Sequence, residues 1–239
     1  MADIVLIHGG STSGGIWAEL TPHLNGRAIA PDLPGRNNPA HYASATFSQW
    51  AQSIIDQMDR AEMESAILVA HSMGGGTMAA IARLFPSRVK GIVCFGAVVP
   101  PDGAPFLKGL NASQQDLMHH TLAEGSIVLP RPVKAAADEG DPLRRLMRDA
   151  NSTEALLPFF EPVSLQGFAI TQLGLVRLLR DRAIELERQD CFIERLRALG
   201  PVEIRNIDAG HMAMVTHPRE SAVAINDLCD TFEQRRGAL

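Results

Sequence analysis

The stretch Ala70-His71-Ser72-Met73-Gly74 sets a hydroxyl between an apolar run, AILVA at 66–70, and a helical run that opens on Gly74-Gly75-Gly76. Two chemistries fit a serine beside a glycine cluster. Gly74-Gly75-Gly76-Thr77-Met78-Ala79 spells G-x-G-x-x-A, the outline of a dinucleotide phosphate turn. In such a turn the first glycine follows the strand directly, and an acidic residue about 20 positions on binds the ribose. Here His-Ser-Met intervenes, and the next apolar run ends in Ala97-Val98-Val99-Pro100 without a carboxylate. No lysine follows a glycine cluster, so the Walker phosphate loop is absent as well. The other chemistry is nucleophilic. The same residues form a G-x-S-x-G elbow with alanine in the first glycine position. Strand and helix crowd that turn, which demands small residues two before and two after the serine, and Ala70 and Gly74 supply them. Ser72 then stands at a helix N-terminus, whose amides favour developing negative charge. An ordinary helix cap can carry the same short pattern, but its setting between an apolar strand and an apolar helix favours the nucleophile.

A serine nucleophile needs a base, and the base needs an acid to hold its tautomer. Of the eight histidines, His211 follows the expected strand VEIRNI in a short Asp-Ala-Gly-His turn near the end of the chain. Asp181 follows LGLVRLL-Arg180, which brings it to the same sheet edge as Ser72 and His211, in the chain order Ser, Asp, His. Asp208, three residues before His211, is poorly placed to reach its Nδ1 and reads as a turn-stabilising residue. Glu185, Glu187 and Asp190 read as helix surface. His71 is expected to face away from the site, and His8 to make a structural hydrogen bond in the first glycine turn. His119-His120 lacks a third ligand at metal spacing. The glycine turn HGGSTSGG and the residue after the serine can supply two backbone amides for an oxyanion, assigned to Gly10 and Met73. This chemistry calls for no cofactor and no metal.

The elements that must hold these residues follow a repeating unit: a short β-branched run, a Gly- or Pro-rich turn, then helical spacing. Strands are expected at 4–7, 27–30, 66–70, 89–99, 173–179 and 202–207, and helices over 17–24, from Thr46 and from Met73. The runs are continuous more than alternating, as in strands covered on both faces. The alternation predicts an α/β fold: a mostly parallel, doubly wound sheet with helices on both faces. Residues 1–100 and 168–239 form the core. Between them, 101–167 shows no clear strand and is cut by repeated prolines, which predicts a helical lid inserted after the fourth strand. Phe106, Leu117, Met118, Phe159 and Phe160 are its candidates for lining an apolar pocket, alongside plain lid core.

Bulk properties narrow the class. The 239 residues suit one large α/β domain. The composition is 46% hydrophobic and 21% charged, with a mean hydropathy of +0.01, as in an ordinary soluble globule. A formal charge of −5 argues against nucleic acid, and the basic clusters RLMR and EQRRG read as solvated helix faces. Cys94, Cys191 and Cys229 are widely spaced, an odd set that predicts reduced thiols in the cytoplasm. MADIVLIHGG reads as a first strand and not a signal peptide. No run approaches the roughly 20 apolar residues of a membrane span.

With HGG, AHSMG, Asp181 and GHMAM in place, the chain resembles an α/β-hydrolase. More narrowly, it is similar to the plant methylesterase and hydroxynitrile lyase family and its bacterial esterase relatives. The resemblance runs in order from VLIHGG through APDLPG, ILVAHSMGG and LLRDRA to IDAGHMAM. The family's lyases carry a threonine after the histidine of the first loop and a lysine after the catalytic histidine. This chain has Gly9 and Met212 at those places, and the resemblance makes both, with Trp17, further candidates for the substrate pocket. The resemblance therefore implies hydrolysis of a small carboxylic ester through an acyl-enzyme, on the Ser72, His211 and Asp181 triad. An aromatic pair that ends the first loop in the family is reduced here to Trp17, with Gly15 at the other place. The implied partner is a small-molecule ester with an apolar part, with no nucleic acid and no membrane, and a homodimer stays open. A lyase-like reaction on the same triad, a ligand receptor on the same fold and a nicotinamide enzyme remain as rivals.

Overall fold

A computed structural model describes residues 2–35, 42–129 and 153–237. Its strands are β1 (Ile4–Ile7), β2 (Ala28–Ile29), β3 (Ala66–Ser72), β4 (Val89–Ala97), β5 (Val128–Leu129), β6 (Glu154–Ala155), β7 (Leu173–Leu178) and β8 (Val202–Ile207). Six of them form one sheet in the order β2-β1-β3-β4-β7-β8, and every pairing in it is parallel. Parallel neighbours need crossovers, and helices supply most of them: α1 (Phe47–Arg60), α2 (Gly74–Leu84) and α4 (Leu186–Arg197) connect strands, while α5 (Ala213–Thr216) and α6 (Pro218–Gly237) close the chain. Helix α3 (Ala112–Ala123) lies in the long excursion between β4 and β7.

The continuous apolar runs are explained by burial on both faces. Along β1, Val5 and Ile7 enter one core while Ile4 and Leu6 enter the other. The same alternation divides Leu68 and Ala70 from Ile67 and Val69 in β3. One core is closed by Trp50, Ile54 and Met58 of α1 with Met78 and Ile81 of α2. The other is closed by Trp17 with Ile225, Leu228 and Phe232 of α6. Thr46 caps α1 by accepting from the Gln49 amide, and Asn111 and Gln114 form a reciprocal capping box on α3.

Two expectations are corrected. The stretch 17–24 is not a helix but a pair of 3-10 turns, Gly14–Trp17 and Thr21–His23. Pro22 has no N–H for a helical ladder, and the Thr21 hydroxyl takes the Trp17 carbonyl instead. The interval 101–167 does hold strands: β5 and β6 pair antiparallel as a two-residue ribbon, too short to leave a periodic signature. RLMR and the prolines at 130, 132 and 142 lie outside the described residues. EQRRG ends α6, with Gln234, Arg235, Arg236 and Gly237 exposed. The three cysteines are free thiols. Cys94 and Cys229 are buried, which pushes each up to about 12, and Cys191 is exposed. Among the described residues no helix is long and apolar enough to cross a membrane.

Candidate active site

Because all six strands run parallel, the C-terminal ends of β1, β3, β7 and β8 share one edge of the sheet, and the chain delivers its chemistry there. Ser72 is the last residue of β3 and has φ +51°, a left-handed conformation rare for a residue with a side chain. Strain of this kind persists only where the surroundings enforce it. The enforcement comes from close packing. A methyl group on Gly74 would lie 2.8 Å from the His8 carbonyl oxygen, one on Gly75 2.3 Å from that of Val98, and one on Gly76 2.3 Å from the Phe47 ring. The three glycines thus let α2 seat against β1, β4 and α1. Their function here is steric, which accounts for a G-x-G-x-x-A pattern without a phosphate.

Asp181 follows β7 with its carboxyl group fully buried. Its Oδ1 accepts from the backbone amides of Ala183 (2.8 Å) and Ile184 (2.9 Å). Its Oδ2 accepts from Nδ1 of His211 at 2.7 Å, which fixes the proton on Nδ1 and leaves Nε2 as the free lone pair. The turn bearing Asp181 is itself held by Gln189 of α4, a buried amide that accepts from the Leu178 amide and donates to the carbonyls of Leu178 and Ile184. Arg180 pairs with Asp208 and donates to its carbonyl, so Asp208 stabilises the turn before His211. Among the described residues, no hydrogen bond joins the Ser72 hydroxyl to His211.

His71 corrects an expectation. It does not face away: its ring centroid lies 4.4 Å from that of His211, and its Nε2–H donates to the His211 carbonyl oxygen at 3.1 Å. A carbonyl only accepts, so the proton sits on Nε2. Nδ1 is then a buried lone pair without a partner among the described residues, pointing at Gly9, where a methyl group would come within 2.9 Å of it. Burial, reinforced by the neighbouring His211, holds His71 well below the usual histidine range. The contact joins residues 140 positions apart, and no local sequence signal could have shown it.

Gly10 and Met73 follow β1 and β3, and neither amide has a hydrogen-bond partner among the described residues. His8 is buried, accepts from the Leu33 amide at Nε2 (3.1 Å) and anchors the loop. The pocket candidates divide. Gly9 is buried tightly against Ser72, whose Cβ would lie 2.9 Å from a methyl group there. Trp17 has no exposed surface and packs edge-on against His71 and Phe95, beneath the site and inside the core. Phe106 stacks between Phe47 and Phe159, and Met118 is buried with them. Phe160 is half-buried against His119, and Met212 packs on the α6 side. Leu117 is a 45% exposed apolar side chain on α3. Among the described residues no cluster of His, Cys, Asp and Glu could hold a metal.

Comparison with known proteins agrees with this architecture. Residues 4–224 match the model of the alpha/beta hydrolase family. The chain is 26% identical to a pyrethroid hydrolase of Sphingobium wenxiniae, over 99% of this chain and 90% of that protein. It is 23% identical to Methylesterase 9 of Arabidopsis thaliana, over 97% and 100% of the two chains. Among solved structures, it is similar to an extracellular alpha/beta-hydrolase from a Paenibacillus species described as homologous to tobacco salicylic acid binding protein 2. That likeness has a TM-score of 0.79 and 22% identity, over 95% of this chain and 99% of the other. A six-stranded parallel sheet, a strained serine at its central strand end and a family match across nearly the whole length lead to one conclusion: the chain belongs to the alpha/beta hydrolase family.

Proposed function

We propose that the protein is a cofactor-independent serine esterase acting on a small carboxylic ester. The observation that carries the reading is the 2.7 Å bond between Asp181 and His211 on the sheet edge where Ser72 ends β3 in a left-handed turn. Hydrolase and esterase relatives that align over nearly the full chain support the reaction class.

In this reading Ser72 attacks the ester carbonyl carbon while Nε2 of His211 takes the hydroxyl proton. The Asp181 carboxylate holds the imidazole in the tautomer that leaves Nε2 free and stabilises the imidazolium that forms. The amides of Gly10 and Met73, both unpartnered among the described residues, receive the oxyanion, each worth roughly 3–4 kcal/mol of transition-state stabilisation. His211 returns the proton to the leaving alcohol, and water then hydrolyses the acyl-enzyme. The Ser72–His211 bond belongs to the substrate complex, since such contacts are commonly open without substrate. The described parts of the 101–167 excursion act as a cap, with Phe106, Met118 and Phe159 as its apolar core and the half-buried Phe160 as an apolar surface that suits an ester with an apolar part. The free thiols suit a reducing, cytoplasmic setting.

Turnover of p-nitrophenyl acetate by wild type, abolished in Ser72→Ala, is the expected result. Equal turnover by the alanine variant defeats the serine mechanism. Mandelonitrile cleavage without ester turnover would instead support a lyase, a reading that Gly9 and Met212 disfavour because neither supplies a hydroxyl or a cation.

A further inference from the structure

The oxyanion loop has a partner that the triad does not explain. Glu154, in β6 of the excursion between β4 and β7, is only 1% exposed. Its Oε2 accepts from the backbone amide of Ser11 at 2.8 Å, across 143 residues of sequence. Ser11 has φ +54°, so the loop is in a left-handed conformation at the residue the carboxylate grips. The carboxylate also borders Gly10, since a methyl group there would meet Oε2 at 3.3 Å and the Met73 sulfur at 3.4 Å. The Glu154 carboxylate and the Met73 side chain therefore both border Gly10, whose amide is assigned to the oxyanion.

We infer that Glu154 is a positioning residue: a strap from the excursion that sets the oxyanion loop. The inference rests on the esterase reading for its consequence in catalysis. The Ser11 N–H belongs to the peptide that follows Gly10. Drawing it onto Glu154 fixes that peptide, and with it the direction of the preceding Gly10 N–H. The strap is anchored at its own end. Glu154 Oε1 accepts from the Ala155 amide at 3.0 Å, β6 pairs with β5, and Thr153 bonds the Tyr42 hydroxyl. The position of β6 and the alignment of the Gly10 amide are thus tied through the Ser11 hydrogen bond.

The test compares wild type with Glu154→Leu, which keeps the bulk and removes the acceptor, and Glu154→Gln, which retains one oxygen for Ser11. Hydrogen exchange read by mass spectrometry reports the loop whatever the substrate: the Ser11 amide is slow in wild type and in the glutamine variant and fast in the leucine variant. With p-nitrophenyl acetate, Glu154→Leu lowers kcat about 10- to 100-fold with KM nearly unchanged, as expected for a displaced transition-state donor. Glu154→Gln loses less than about tenfold. Affinity for a phenylboronic acid, whose tetrahedral adduct on Ser72 places an oxygen at the two amides, falls in parallel with kcat. The pH profile of kcat/KM does not move. Equal Ser11 exchange in all three proteins, an unchanged kcat in Glu154→Leu, or a glutamine variant as impaired as the leucine one overturns the proposal. If Glu154→Leu does not fold, loss of both Ser11 protection and kcat in Glu154→Gln overturns it. A wild type inert on esters whose Ser11 amide still depends on the Glu154 acceptor removes the esterase reading and supports the strap.

Discussion

At residue scale, the Asp181 carboxylate performs two separable tasks with its two oxygens. Oδ2 sets the tautomer of His211, and Oδ1 ties off the amides of Ala183 and Ile184. Asp181→Asn keeps an oxygen for the turn but offers an N–H toward Nδ1, so kcat should fall about 10³- to 10⁴-fold with the melting temperature nearly unchanged. Asp181→Ala loses both tasks, and differential scanning calorimetry should show a further loss of about 1–2 kcal/mol in stability. His71 leads to a pH prediction. Its folded-state value lies below the unfolded value of about 6.5, so the unfolded chain binds the proton first. Stability from this residue is fully present above pH 6.5 and is lost as pH falls toward the folded value, by up to about 1.4 kcal/mol per pH unit. Urea melts at pH 7.5 and 5.5 should show a steeper loss for wild type than for His71→Phe, which keeps a ring against Trp17 without the titration. The residues legible from sequence were those whose place the fold imposes: a serine after the third strand, an acid after β7, a histidine after β8. His71 was misplaced and Glu154 and Gln189 escaped notice, because the partners of the first two are distant in the chain and a buried glutamine reads like any polar helix residue.

At the scale of elements, the long central strands were readable because runs such as ILVA and GIVCF are apolar at every position, which only a strand covered on both faces requires. The short pieces were not. Two-residue ribbons and 3-10 turns are decided by single hydrogen bonds that leave no periodic pattern, such as that from the Thr21 hydroxyl to the Trp17 carbonyl. The glycines at the start of α2 show how steric demand can imitate a binding motif. Gly75→Ala would drive a methyl group into the Val98 carbonyl, a backbone atom that cannot swing away, and should cost about 1–3 kcal/mol. Gly200 faces open space, so Gly200→Ala is the matched control and should stay within about 0.5 kcal/mol of wild type in the same denaturation assay. Gln189→Leu should be worse, at about 2–4 kcal/mol, because it strands the Leu178 amide and the Ile184 carbonyl in a buried turn and removes one of two donors to the Leu178 carbonyl.

At the scale of the whole molecule, a second acidic residue of the excursion reaches the core. Glu161 accepts from the Phe47 amide at the start of α1, and burial pushes its carboxyl group up to about 7. An acid raised in the folded state stabilises below its unfolded value and loses that contribution as pH rises toward 7. Glu161→Gln should therefore melt higher than wild type at pH 8, with the gap closing by pH 5, a comparison that thermal scans settle directly. The strand order carries a consequence for how the protein comes into being. The serine arrives with β3, whereas its prospective base and acid are supplied by the last two strands of the sheet, β7 and β8. On the esterase reading the hydroxyl is therefore synthesised before anything able to activate it, and a nascent chain that stops short of His211 carries Ser72 without its base.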